Sequence, residues 1–62
     1  MIDYDYVIRT VDGKKYGYDN WHSTLILVYH DVMSKDYIEV TKWAKDTEVV
    51  INTKHIVSIE RW

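Results

Sequence analysis

Three histidines, His22, His30 and His55, carry the metal-ligand chemistry of this sequence. His22 and His30 stand eight residues apart. On a helix that spacing rotates the second ring about 80° from the first, too far for simple chelation. Asp19 precedes His22 by three residues and His30 adjoins Asp31, but no HxxxH pair occurs. Solvated or capping histidines are the expectation, with no metal site. Nucleophilic catalysis needs an activated side chain, a base and an orienting group. Ser23 follows His22 directly, yet adjacency in sequence does not aim one side chain at the other. There is no G-x-S-x-G and no glycine-rich phosphate loop. A chain of 62 residues also lacks walls for a sequestered pocket. The expectation is a non-enzyme that holds no cofactor.

Binding chemistry is better represented. Lys42-Trp43-Ala44-Lys45, Lys54 and the Arg61-Trp62 ending combine bases with aromatics. On a small barrel such residues can stack nucleobases and hold phosphates. Lys42, Trp43, Lys45, Lys54 and Arg61 therefore form a candidate single-stranded nucleic-acid site. Glu39, Glu48 and Glu60 interleave with them and weaken the field. Nucleic acid accordingly takes second place to a protein partner. The competing role for Trp43 is to cap the core, and for the lysines to keep an edge strand soluble.

Composition narrows the class further. The chain has no Cys, so disulfides and thiolate zinc sites are excluded. Its core must come from apolar and aromatic side chains, and 47% hydrophobic content is too rich for a disordered chain. All nine aromatics are Tyr or Trp, which suit half-buried positions in small cores and interfaces. Residues 1–36 hold six Asp against Arg9, Lys14, Lys15 and Lys35, a balance of −2; residues 37–62 balance at zero. Neither half is a basic nucleic-acid footprint. The start, Met1-Ile2-Asp3-Tyr4-Asp5, has no signal-peptide pattern. The longest apolar run is Leu25 to Tyr29, far short of the roughly 20 residues of a membrane span. A cytoplasmic protein without membrane contact is expected.

These residues must be placed by one small domain spanning residues 1–62. Tyr4 to Tyr18 reads as a hairpin around Asp12-Gly13, two residues that tolerate positive φ. Tyr16 and Tyr18 share a face, and Gly17 between them marks a bulge or a close backbone approach. In the next unit, Leu25, Val28, Tyr29, Val32 and Met33 follow one helical face. A helix is expected over residues 22–33, with Asn20, Ser23 and Thr24 as candidate N-caps; its β-branched residues are the argument for a strand. Ile26 and Leu27 then fall off the buried face and become candidate partner or dimer contacts, with Trp43 and Trp62 as further anchors. From Tyr37 the chain alternates, with Ile38 and Val40 on one face and Tyr37, Glu39, Thr41 and Trp43 on the other. "AKDT" turns it into "EVVIN", and "IVSIERW" ends it.

Between those last strands stands Asn52-Thr53-Lys54-His55. It lacks the Gly of a tight primed turn. Asn52 can close an Asx-turn and Thr53 can start a single helical turn. "VVINTKHIVSIE" resembles the ending of SH3-like and Sm-like small barrels, where a 3₁₀ turn separates two short strands. It is also similar to the "INxxxIxxIE" ending of small flagellar FlbD/SwrD-like and phage-encoded proteins. That resemblance implies that Ile56 and Ile59 both point inward. It spans about a dozen residues and implies no catalytic signature or ligand groove.

The fold expected is α+β: a curved antiparallel sheet of five strands, in the limit a partial SH3-like barrel, with one helix after the second strand. The function expected is that of a small non-catalytic protein-interaction module that forms a homodimer. A compact chain without Cys or Pro and rich in Tyr and Trp also resembles small phage-encoded accessory or host-inhibitory proteins.

Overall fold

Asp12-Gly13 does make the first turn, in a three-residue loop. The computed structural model describes residues 4–62; Met1, Ile2 and Asp3, on which the reading of the N-terminus partly rests, lie outside them. Strands β1 (Tyr6–Thr10) and β2 (Lys15–Tyr18) pair antiparallel, Ile8 opposite Tyr16. The Gly13 N–H donates to the Thr10 carbonyl (2.9 Å) and the Thr10 N–H to the Lys14 carbonyl (3.1 Å). Of Asp12 and Gly13, Gly13 alone takes a positive φ, 81°; the geometry is a type I turn closed by a left-handed glycine. Asp12 acts through its carboxylate, which accepts from the Thr10 hydroxyl and the Lys14 N–H.

Helix α1 (Leu25–Met33) follows β2. It starts later than residue 22 because the preceding loop is held elsewhere. The Asn20 amide donates to the Asp31 carboxylate (2.9 Å), and its oxygen accepts the His22 N–H (2.9 Å). Thr24 is the N-cap, with no side-chain capping bond. The apolar stripe is narrower than its periodicity suggests. Val28 and Val32 are fully buried and Leu25 packs beside them, but Tyr29 and Met33 remain exposed. In this nine-residue helix only Val28 and Val32 are buried.

Strands β3 (Tyr37–Lys42) and β4 (Glu48–Asn52) form the second hairpin. Ile38 and Val40 are buried, while Tyr37 and Glu39 face solvent. Trp43 stands just past the strand, as the first residue of the turn. Ala44 (φ 63°) and Asp46 (φ 52°) both adopt left-handed backbone there. β3 then pairs with β2, Tyr16 opposite Lys42.

The segment Asn52 to His55 is a 3₁₀ turn (Thr53–His55) that carries the chain from one edge of the sheet to the other. Asn52 accepts the Lys54 N–H at 2.9 Å, closing the Asx-turn. Thr53 is buried; its hydroxyl donates to the Lys35 carbonyl (2.6 Å) and its N–H to the Asp36 carbonyl (3.0 Å). Strand β5 (Ile56–Arg61) then pairs with β1. Arg9 faces Ser58 and Thr10 faces Ile56, so Val57 is an extra residue, a β-bulge. The bulge is why Ile56 and Ile59 both reach the core while Val57 is 64% exposed.

The sheet order is β4-β3-β2-β1-β5, all antiparallel. The edges β4 and β5 do not hydrogen-bond to each other, so the sheet is not closed into a barrel. It curls enough for Ile51 and His55 to share a small cleft with Thr10 and Tyr16. The core joins Tyr6, Ile8, Tyr16, Ile38 and Val40 of the sheet to Val28 and Val32 of the helix. Burying each large aliphatic contributes about 1.5–3 kcal/mol. Among the described residues, no helix is long and apolar enough to cross a membrane.

Candidate functional site

Two surfaces collect the residues singled out in the sequence. The first is the outer side of α1. Packing of Val28 and Val32 against the sheet turns Ile26 (56% exposed) and Leu27 (47%) to solvent, and Tyr29 and Met33 share part of that exposure. His30 lies beside Tyr29, with ring centroids 5.6 Å apart. At the head of the helix, Trp21 stacks on His22 at 3.7 Å and is the most exposed aromatic.

The second surface starts from Gly17. The Tyr4 ring occupies the place of a side chain at Gly17, on the sheet face away from the helix. The Trp43 centroid lies 5.2 Å from Tyr4 and 4.7 Å from Trp62, the latter edge-on. The Trp62 N–H donates to the Asp5 carbonyl (3.2 Å), which fixes the end of β5 beside the start of β1. Lys15 sets its ammonium 4.3 Å from the Trp43 ring centre, a cation–π contact. Beside this cluster opens a cleft of about 320 Å³ lined by Lys14, Lys15, Tyr16, Lys42, Trp43 and Lys45. The two turns position it. Lys14 and Lys15 begin β2, the Tyr16–Lys42 register sets Lys42 alongside, and Lys45 comes from the β3–β4 turn, where its N–H donates to the Lys42 carbonyl (3.2 Å).

Of the candidate partner-binding residues, Trp43 and Trp62 are brought together, while Ile26 and Leu27 stand apart on the helix. Of the candidate nucleic-acid residues, Lys42, Trp43 and Lys45 converge. Lys54 belongs to the 3₁₀ turn and does not line the cleft. Arg61 is engaged elsewhere: its guanidinium donates to the Ser23 carbonyl and lies 5.9 Å from the Tyr6 ring centre. Lys14, Lys15 and Tyr4 are the members that sequence reasoning missed. The signal for the lysines was their place directly after the Asp12-Gly13 turn. No three metal-ligating side chains converge among the described residues.

The acidic groups with lowered pKa lie outside the cleft lining. Asp12 is held below its ordinary value by the Thr10 hydroxyl and then the Lys14 N–H. Asp31 is lowered chiefly by the Asn20 amide, and Glu60 by Arg9, which it meets at 2.8 Å. Compared with family models, curated proteins and solved structures, the chain finds no match in any of the three.

Proposed function

We propose that this chain is a small non-catalytic protein-interaction module that engages its partner through the outer face of α1. The supporting observation is the adjacent exposure of Ile26 and Leu27 with Tyr29 and Met33 beside them. Exposed apolar side chains grouped on one helix, in a chain with so little core to spare, support reading this face as an interaction surface. The simplest partner is a second copy, because a two-fold pair of helices would bury the patch on both chains at once. Light scattering of the pure protein at tens of micromolar tests this. The expected mass is twice 7.5 kDa for the wild type and a single chain for Leu27→Glu. A monomeric wild type would remove the second copy as partner. The helix-face reading itself then fails if proteins retained from lysate bind Leu27→Glu and Ile26→Glu as well as wild type.

A second reading, a single-stranded nucleic-acid binder, draws on the gathering of Lys42, Lys45 and Lys15 around Trp43. It requires salt-sensitive binding that is lost in Trp43→Ala.

A further inference from the structure

Half of the chain's positive side chains line one cleft. Lys14, Lys15, Lys42 and Lys45 are four of the 8 Lys and Arg residues; against 10 Asp and Glu, the other four leave the remainder at 4 − 10 = −6. A net-acidic protein has thus gathered half of its cations at one place. None of the four is in an ion pair among the described residues, whereas Arg9 is paired with Glu60 and Lys35 with Asp31. No acidic side chain lines the cleft among the described residues. Asp12 accepts from the Thr10 hydroxyl and the Lys14 N–H, and Glu60 pairs with Arg9; their charges reach Lys14 and Lys15 only from outside the lining. Asp46 and Glu48 follow Lys45 in sequence but do not line the cleft. Four like charges around one hollow repel one another, and a multivalent anion placed among them relieves that repulsion.

The backbone holds this arrangement. Lys14 and Lys15 leave a turn locked by Gly13, and Lys45 stands between two left-handed residues, Ala44 and Asp46, in a turn closed by a 2.7 Å bond from the Lys42 N–H to the Thr47 carbonyl. We infer that the cleft is a binding site for a compact polyanion of phosphate chemistry, such as a triphosphate group, held by these four ammonium groups rather than by stacking on Trp43. Lysine acts on phosphate as a point charge and needs no planar match. The volume, about 320 Å³, is that of a small-molecule site. Stacking is the weaker option because Lys15 already lies over the indole while Tyr4 and Trp62 pack around the same ring. A base would have to displace Lys15. The site is independent of the helix-face reading, and no residue is shared between them.

Calorimetric titration of the whole chain with inorganic triphosphate, ATP and a short oligothymidylate at low and near-physiological salt tests the inference. Triphosphate and ATP are expected to bind with affinities within about threefold of each other, since the base adds nothing, and both should weaken as salt screens the charges. Lys42→Gln with Lys45→Gln should lower triphosphate affinity by about tenfold or more, the scale of losing charge-assisted contacts. Lys54→Gln, outside the cleft, should leave it unchanged. Circular dichroism and the urea midpoint of each variant keep loss of binding separate from loss of fold. The inference is overturned if triphosphate does not bind, or if Lys54→Gln weakens it as much as the cleft double variant. It is also overturned if oligothymidylate binds far more tightly than triphosphate and Trp43→Ala abolishes that binding, because stacking would then hold the ligand.

Discussion

Gly17 and Tyr4 show how much one missing side chain can position. Gly17 sits in the middle of β2, opposite Val7, and a Cβ there would collide with the Tyr4 ring. The ring in turn supports Trp43, and through it Lys15 and Trp62. Gly17→Ala is therefore expected to displace Tyr4 and cost about 1–3 kcal/mol, the range for overpacking a filled site. The same change in a Tyr4→Ala background should cost much less. A double-mutant cycle in urea unfolding measures the difference; equal costs in both backgrounds would show that the ring and the glycine are not coupled. The sequence left Gly17 as a bulge or a close backbone approach; the β1–β2 register is regular there, and a side-chain ring makes the approach. That ring was not legible, since nothing in a linear string says that Tyr4, before β1, folds back over β2.

At the scale of elements, the 3₁₀ turn and the bulge that follows it decide how the last third of the chain is used. Thr53 ties the turn to the backbone at Lys35 and Asp36. Thr53→Val keeps the shape and removes the hydroxyl, leaving a carbonyl short of a donor; the expected cost is about 1–3 kcal/mol. Thr53→Ser should retain most of that stability, and urea midpoints of the two variants give the comparison. Ile56 and Ile59 are half-buried against the core, while Ile8 is fully buried. Replacement by Ala is expected to cost about 2–5 kcal/mol at Ile8 and less at Ile56 and Ile59, in proportion to the area removed. Val57→Ala should be nearly silent; a cost equal to that of Ile59→Ala would contradict the bulge. Strands, helix and 3₁₀ turn were all legible, because alternation, helical spacing and the polar break each have a local cause. The width of the helical stripe was not, because burial of Tyr29 and Met33 depends on how far the sheet extends beneath them.

For the whole molecule, acid is the condition that separates folded from unfolded charge states. The ordinary values are 3.8 for Asp12 and Asp31 and 4.5 for Glu60, and the fold lowers all three. A carboxylate lowered by folding contributes stability that is complete above its unfolded pKa and is lost as pH falls through the folded one. The urea midpoint is expected to hold steady from about pH 7 to about pH 5 and to fall below about pH 4. Arg9→Gln and Asn20→Ala, which remove the main partners of Glu60 and Asp31, should each flatten that fall; curves parallel to wild type would refute the assignment. The lysine cleft was only half legible for a reason at this same scale. Lys42, Trp43 and Lys45 are neighbours in sequence, but Lys14 and Lys15 join them because β2 pairs with β3 across an intervening helix. Strand order is a property of the assembled sheet.

The pairing of β1 with β5 also sets a timetable. β1 is an inner strand, yet one of its two neighbours is drawn from the far end of the chain; Arg9 and Glu60, in contact across that ladder, are separated by 51 residues. The β1–β2 hairpin closes a short loop and can form early, whereas β5 docks only after nearly the whole polypeptide has been gathered. Loops of that length close late in the approach to the native state. Contacts made late weigh on the rate of escape more than on the rate of entry. β5 is thus expected to act as a latch on β1, so that Ile59→Ala speeds unfolding in urea more than it slows refolding; an equal or larger effect on refolding would refute this order.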